Sequence, residues 1–332
     1  MSTTRQVVAT ATTRPVDPYA EDLLDPLHDL LLAAMRTDTP DEPEPCALDL
    51  AGALRFPWPG TTGEDFVALC EGRPVGLLRL VFTDGTDACQ IDTLVVHPAW
   101  RGRGVGGVLY ARAVERTRAN NRTRMTGRVP DTPVTGARQA AFATAMGLRP
   151  APGAAALVRS RLPLDAATLR FPQDLPHGYR AVHLGSALPE PHLEGLAALE
   201  SFLNPSSPVP AHLAVARIRA METMRAGRQR HAWQTGLVAC RTGQLVAWTS
   251  MTMTHSCPTH ALQGTTVVHP AHRGRHLGLL VKRHNLAHAL RHERLLRRVD
   301  TLNADDNRHM IRINDALGFE AVERRAAWSM TV

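Results

Sequence analysis

The run Val95-Val96-His97-Pro98-Ala99-Trp100-Arg101-Gly102-Arg103-Gly104-Val105-Gly106 returns 172 positions later as Val267-Val268-His269-Pro270-Ala271-His272-Arg273-Gly274-Arg275-His276-Leu277-Gly278. Each copy orders a β-branched strand end, a proline turn, an Arg-x-x-x-x-Gly loop and a helical pattern. This layout suits a phosphate group. Unsatisfied N–H donors at a helix N-terminus act with the helix dipole on an anion, glycines let the backbone approach it, and arginine adds a charge-assisted contact. Residues 101–106 and 273–278 are therefore candidate anion-binding loops, with Leu94, Val95, Val96, Val267 and Val268 on the strands that lead into them. The usual dinucleotide fingerprint does not fit. The loop follows the third strand of an antiparallel run, not the first strand of a βαβ unit.

The elements that must hold these loops repeat as well. Phe66–Cys70, the turn Glu71-Gly72-Arg73 and Val75–Val81 match Leu237–Cys240, Arg241-Thr242-Gly243 and Leu245–Trp248, in each case a hairpin by pattern. A third strand, Cys89–Val96 or His260–Val268, runs into each loop. Beyond it Val105, Val108, Leu109 and Ala113 fall at i, i+3, i+4 and i+8, and Leu279, Leu286 and Leu290 at i, i+7 and i+11, which is helical spacing. Each copy continues with a strand (Arg124–Val129, Arg298–Leu302) and a short helix ending at Met146-Gly147-Leu148 or Leu317-Gly318-Phe319. The repeat predicts tandem domains over residues 19–162 and 177–332, a flexible tail over 1–18 and a linker over 163–176. Helical patterns at Leu193–Leu203 and Leu213–Met224 flank Asn204–Pro210, a loop placed to line a substrate pocket.

These features resemble the GNAT superfamily of acetyl-CoA-dependent N-acetyltransferases, specifically its tandem-domain bacterial members. The resemblance covers roughly residues 20–160 and 177–332. The family loop reads Gln/Arg-x-x-Gly-x-Gly/Ala. Arg101, Gly104 and Gly106 satisfy it, and the second copy has Arg273 and Gly278 with His276 at the middle glycine. The second copy also carries Thr301-Leu302-Asn303-Ala304-Asp305-Asp306-Asn307 and Met310–Phe319, which look like the family's last strand and C-terminal helix. The matching segment of the first copy, Asp131–Leu148, has Thr132, Gly136 and Ala143 near the asparagine positions. The resemblance implies an α/β (α+β) chain of two GNAT-like domains, each a mixed, mostly antiparallel twisted sheet flanked by helices. It implies acetyl-CoA as co-substrate. The pantetheine arm would lie between the strands ending at Val96 and near Val129, or at Val268 and Asn303, with Asn307 on the arm. The implied reaction is direct acetyl transfer to an amine of a small molecule or peptide, without a covalent enzyme intermediate. A catalytically degenerate CoA-binding sensor or scaffold is the alternative reading.

An alkylammonium of pKa near 10 is under about 1% neutral at pH 7, so the acceptor needs a base. Asp92 is the only carboxylate on a strand running into either loop; the aligned position is Gly264, beside Gln263. A strand-end aspartate also caps turns. The family's frequent tyrosine acid is replaced by Ala143 and Asn314, which leaves Asn314 at the acid's position in the second domain. His255 and His260, within His255-x-Cys257-x-x-His260, are further base candidates there. His284, His288 and His292 fall at i, i+4 and i+8 on one helix face. Neither spacing matches a standard zinc site, and no metal is expected.

Composition bounds the remaining choices. At about 150 residues per domain, 332 residues suggest two, and 44% hydrophobic residues supply both cores. Five widely spaced cysteines without a Cys-x-x-Cys pair read as reduced thiols. No run approaches the roughly 18 apolar residues of a membrane span, and Met1–Ala20 lacks the apolar core of a signal peptide, so a soluble cytoplasmic protein is expected. Lys282 is the only lysine among 38 basic residues, as in a GC-rich bacterial coding sequence. The net charge of +7 is uneven: residues 166–332 hold 20 basic and 12 acidic side chains, residues 1–165 hold 18 and 19. The phosphates of coenzyme A or a negatively charged acceptor would suit that excess. Arg291, Arg294, Arg297 and Arg298 lack interleaved aromatics, and nucleic acid is not an expected partner.

Overall fold

The computed structural model describes residues 11–164, 174–203 and 210–332. The chain divides into two units, Met1–Leu157 with Glu323–Val332, and Val158–Val322. Unit 1 contains β1 (Thr12–Pro15), α1 (Glu21–Asp38), α2 (Ala47–Arg55), β2 (Thr61–Cys70), β3 (Arg73–Thr83), β4 (Ala88–Val96), α3 (Val105–Ala119), β5 (Arg124–Pro130), α4 (Thr135–Ala145) and β6 (Arg149–Pro150). Next come β7 (Leu157–Pro163), β8 (Tyr179–Leu184), α5 (Glu190–Glu200), α6 (Ala211–Gly227), β9 (Arg230–Ala239) and β10 (Leu245–Thr254). The chain ends with β11 (His260–Val268), α7 (Leu277–His292), β12 (Arg298–Ala304), α8 (Arg308–Asp315) and β13 (Glu320–Thr331). No helix among the described residues is long and apolar enough to cross a membrane.

Within unit 1 the sheet order is β1-β2-β3-β4-β5-β13, with β6 on β13; within unit 2 it is β7-β12-β11-β10-β9-β8. All described pairings are antiparallel except β4 with β5 and β11 with β12, which are parallel. The β2–β3 hairpin turns on Glu71 (φ 51°) and Gly72 (φ 77°), the left-handed pair that matches strand twist in a two-residue loop. Helix α1 buries Leu23, Leu27, Leu30 and Ala34 at helical spacing, against Val67 and Leu77 of the sheet for the three leucines. On the other face, α3 buries Val105, Leu109 and Ala113 with Leu78, Leu80 and Met125.

The two C-terminal strands depart from the collinear division expected around residues 163–176. Strand β13 pairs with β5 from Arg325↔Pro130 to Thr331↔Arg124 and buries Trp328 in the unit 1 core. Strand β7 neighbours β12 and buries Leu162 with Leu317 and Phe319 in unit 2. Each of these strands therefore joins the sheet of the unit opposite to the one that a collinear division gives it. Of the expected linker, residues 165–173 lie outside the described residues, as do residues 204–209 of the loop at Asn204–Pro210. The expected 1–18 tail contributes an edge strand: Thr12–Pro15 pairs with Leu69–Phe66.

Candidate functional site

Parallel pairing is short in both units. Strands β4 and β5 pair only from Ala88↔Arg124 to Gln90↔Thr126, and β11 and β12 only from His260↔Arg298 to Gln263↔Thr301. A bulge bends the strand in each case. Asp92 is the extra residue of β4 opposite Arg79–Leu80, and the register of β11 slips between Thr266 and Gln263, opposite Thr249 and Met251. Gly264 suits that bulge, because a Cβ there would lie 2.7 Å from Ser250 Oγ. Past the bulges, Thr93–Val96 and Thr266–Val268 pair on one side only among the described residues. Their free backbone edge can hold an extended ligand that carries amide groups.

The loops that follow share one backbone course. The Nδ1 atoms of His97 and His269 accept from the N–H of Ala99 and Ala271, each at 3.2 Å. Gly102 and Gly104 have φ of 72° and 85°, and Gly274 and His276 have φ of 77° and 57°. His276 thus occupies the left-handed region that Gly104 occupies, and both precede the first helical residue. The third-position glycines serve helix approach. A Cβ on Gly106 would lie 3.1 Å from the Phe142 ring, and one on Gly278 3.0 Å from Ile313 Cδ1.

The loop arginines differ. Arg101 donates from both Nη atoms to Asp38 at 2.9 and 2.8 Å and from Nε to the Val96 carbonyl, and Arg138 also reaches Asp38. Its charge is committed to the end of α1. Arg273 is exposed and donates only from Nε to the Val268 carbonyl at 3.4 Å, with no carboxylate partner among the described residues. Arg103 lies over the Trp100 ring, and Arg275 donates to the Tyr179 hydroxyl.

At the far side of the unit 2 cleft, Asn303 Oδ1 accepts from Asn314 Nδ2 at 2.7 Å, and Asn314 Oδ1 accepts from Lys282 Nζ at 2.6 Å. Asn314 and Lys282 are buried, and burial brings the Lys282 ammonium down to about 7. Both ends of the Asn314 amide are engaged, so it positions Asn303. Asn307 caps α8, its Oδ1 accepting from Met310 N at 3.2 Å. In unit 1 the equivalent end is tightly closed: Thr132 Oγ1 accepts from Gly136 N, and a Cβ on Gly136 would lie 2.2 Å from the Pro130 carbonyl oxygen.

Asp92 is exposed at the point where β4 and β5 part, near the Asp65–Arg79 ion pair of 2.7 Å. His255 does not belong with these residues. It follows β10 at the end of the β10–β11 pair opposite Ala247 and Val268, and its ring packs on His231. His260, at that same end, lies 3.4 Å from Asp300. Spacing alone could not show this, because β10 and β11 run the length of the sheet between those histidines and the loop. His288 stacks on His183 at 4.1 Å, and His292 on Trp233 at 4.9 Å. Burial, helped by its cationic neighbours, lowers His288 to about 4. Among the described residues no group of three or more His, Cys, Asp or Glu side chains is placed to hold a metal ion. Sequence reasoning missed the roles of Asp38, Lys282 and Asp300; a lone lysine in an apolar helical stretch was the one available signal.

The model of the acetyltransferase (GNAT) family matches residues 24–142 and 197–319. A tandem GNAT protein from the clavulanic acid biosynthesis pathway is similar at 37% identity and a TM-score of 0.89, over 97% of this chain and 98% of that one. A GCN5-related N-acetyltransferase from Sphaerobacter thermophilus shares the fold, with a TM-score of 0.69 at 17% identity over 97% and 95% of the chains. A mycothiol acetyltransferase from Amycolatopsis mediterranei (strain U-32) is 40% identical over 96 residues, 29% of this chain and 30% of that relative. The paired splayed strands, each leading to a left-handed loop at a helix N-terminus, and these matches together show that the chain belongs to the GNAT acetyltransferase family and is an acyltransferase with two tandem GNAT domains.

Proposed function

We propose that unit 2 moves an acetyl group from acetyl-CoA to a primary amine of a small molecule or peptide. The observation that carries this reading is the parting of β11 and β12 beyond Gln263 and Thr301, ahead of a loop whose Arg273 has no carboxylate to neutralise it among the described residues. Val267 and Val268 would hold the pantetheine amides by backbone pairing. Arg273, Gly274, Arg275, His276, Leu277 and Gly278 would take the pyrophosphate, and Asn303 and Asn307 would border the arm. The co-substrate supplies a thioester carbonyl. The neutral amine forms the C–N bond as the C–S bond breaks, and coenzyme A leaves as the thiol, which at a pKa of about 8.5 needs modest help. Leu94, Val95, Val96 and residues Arg101 to Gly106 form the corresponding frame in unit 1, with Asp92 at its parting point as that unit's base. Its arginine is tied to Asp38, which favours unit 2 as the working site.

Thiol release from acetyl-CoA across a panel of primary amines tests the reading. Turnover that survives Gly106→Glu and falls at least tenfold in Gly278→Glu and in Asn303→Ala supports it. Binding of acetyl-CoA with no thiol release for any amine contradicts it and favours a sensor.

A further inference from the structure

On β9, Trp233, Thr235 and Leu237 face α7, and the alternate residues Gln234, Gly236 and Val238 face α5 and α6, where Val238 packs with Leu196, Leu199 and Ile218. Trp248 and Val267 belong to that same α5–α6 cluster, and Trp248 is registered with Gly236. Two buried polar atoms on this side have no partner, and two charged side chains beside them lack an ion pair among the described residues. Gln234 is fully buried; its Nε2 donates to the Gly185 carbonyl at 2.7 Å, but its Oε1 has no partner. Trp248 is 5% exposed and its Nε1 has no partner. Arg225 is 8% exposed and makes one hydrogen bond, Nε to Met221 O in its own helix, with no ion pair among the described residues. Glu200, half-buried on the last turn of α5, has no side-chain hydrogen bond or ion pair among the described residues. Burial pushes its carboxyl up, and Arg217 and Arg225 partly oppose that.

Native interiors rarely leave buried polar atoms unpaired, and two of them on a face that also carries a guanidinium and a carboxylate without ion pairs point to a ligand that completes them. The face reaches the transfer loop: Phe202, two residues past α5, packs edge-on against His269 at 4.9 Å. The α1–α2 face of unit 1 carries one such atom, Arg79 Nη2, on a guanidinium that already has a carboxylate partner. There Val67 and Leu77 meet Leu23, Leu27 and Leu30, and Arg79 is paired with Asp65.

We propose that the α5–α6 face of unit 2 recognises an acceptor whose amine stands beside a carboxylate. Arg225 binds the carboxylate, Glu200 the ammonium, and Gln234 and Trp248 supply an acceptor and a donor to the remainder of the molecule. This rests on the acetyltransferase reading of the same unit. A carboxylate fits better than a phosphate, because one buried guanidinium matches a single charge and a dianion would face the Glu200 carboxylate. Glu200 takes one proton from the ammonium, and the neutral amine attacks the thioester. The C–N bond forms, the C–S bond breaks, and the departing sulfur takes the second amine proton, after which Glu200 returns its proton to solvent.

Calorimetric titration of the full chain with amino acids and dipeptides, each paired with its carboxamide, tests the proposal without relying on turnover. The expected result is at least tenfold tighter binding of an acid than of its amide, reduced to within twofold in Arg225→Gln and partly restored in Arg225→Lys, with the far-ultraviolet spectrum unchanged. Weaker binding in Glu200→Gln for the amine but not for its deaminated carboxylic acid supports the ammonium contact. Equal binding of acid and amide, or no binding of either, overturns the proposal. Thiol release measured alongside reports separately on acetyl transfer. Turnover with carboxylate-free amines and no acid preference sinks this inference and leaves the transferase reading standing.

Discussion

The Nζ of Lys282 stands 2.6 Å from the Oδ1 of Asn314, with both side chains buried and no carboxylate hydrogen-bonded to the ammonium among the described residues. An amide oxygen and the nearby Phe319 ring are weak compensation for a charge removed from water. The Lys282 ammonium is therefore held near 7, against about 10.4 for a free side chain.

That shift has a sign in stability. Between about pH 7 and pH 10 the unfolded chain binds up to one more proton at this position than the folded chain, so stability rises with pH by up to about 1.4 kcal/mol per unit across that window. Below pH 7 the full penalty is present. Lys282→Met is expected to flatten this slope in chemical denaturation at pH 7 and pH 9. An unchanged slope would show that the ammonium is not the titrating group.

Asp300 locks β7 into unit 2. Arg161 donates to it from Nε and Nη2 at 2.8 and 3.0 Å, Arg159 at 3.1 Å, and His260 lies at ion-pair distance. Burial opposes its ionisation, but the hydrogen bonds and charges of His260 and Arg161 outweigh it and hold the carboxyl well below the usual carboxylate range. Removing one member of a buried network leaves uncompensated charge, so Asp300→Asn is expected to cost about 3–5 kcal/mol, measured by urea unfolding at neutral pH. The wild-type contribution is complete above pH 4 and drains as pH falls below it, so the two proteins should converge in stability toward acid.

The bidentate Arg101–Asp38 contact predicts a structural phenotype in a residue whose position suggests phosphate binding. Arg101→Gln and Asp38→Asn should each lower stability by about 1–3 kcal/mol. The double variant should lose little more than either single one. Additive losses would show that the two groups do not interact.

Backbone course separates Gly104 from His276. Both sit in the left-handed region, which costs a β-branched residue more than histidine and costs glycine nothing. His276→Gly should keep acetyl-CoA affinity within about threefold and hold or raise the melting temperature, whereas Gly104→Val should lower it by several degrees. Loss of binding in His276→Gly would assign the imidazole a direct role.

The repeat of Val95–Gly106 in Val267–Gly278 made the tandem architecture, the hairpins and the loop-to-helix junctions legible, because periodicity and turn residues are local. Strand exchange was not legible. The collinear repeat gives β7 to the first domain and β13 to the second, and which sheet each one joins depends on contacts such as Trp328 with Tyr110 and Met125, or Arg161 with Asp300, that are far apart in sequence. The loop arginines show the same limit. Arg101 and Arg273 hold the same place in closely similar loops, and only tertiary structure brings Asp38 to the first. His255 fell on a plausible spacing but at the far end of a strand pair from the loop, and the unpaired buried atoms of Gln234 and Trp248 are invisible without burial.

Calorimetric titration with acetyl-CoA, run on the wild-type chain, Gly106→Glu and Gly278→Glu, tests most directly whether unit 2 is the working site. Both substitutions place a carboxylate at an equivalent helix start, against Phe142 or Ile313. If unit 2 is the working site, the binding that supports turnover persists in Gly106→Glu and is lost in Gly278→Glu. Loss in Gly106→Glu alone would move catalysis to unit 1 and Asp92, and would contradict that assignment.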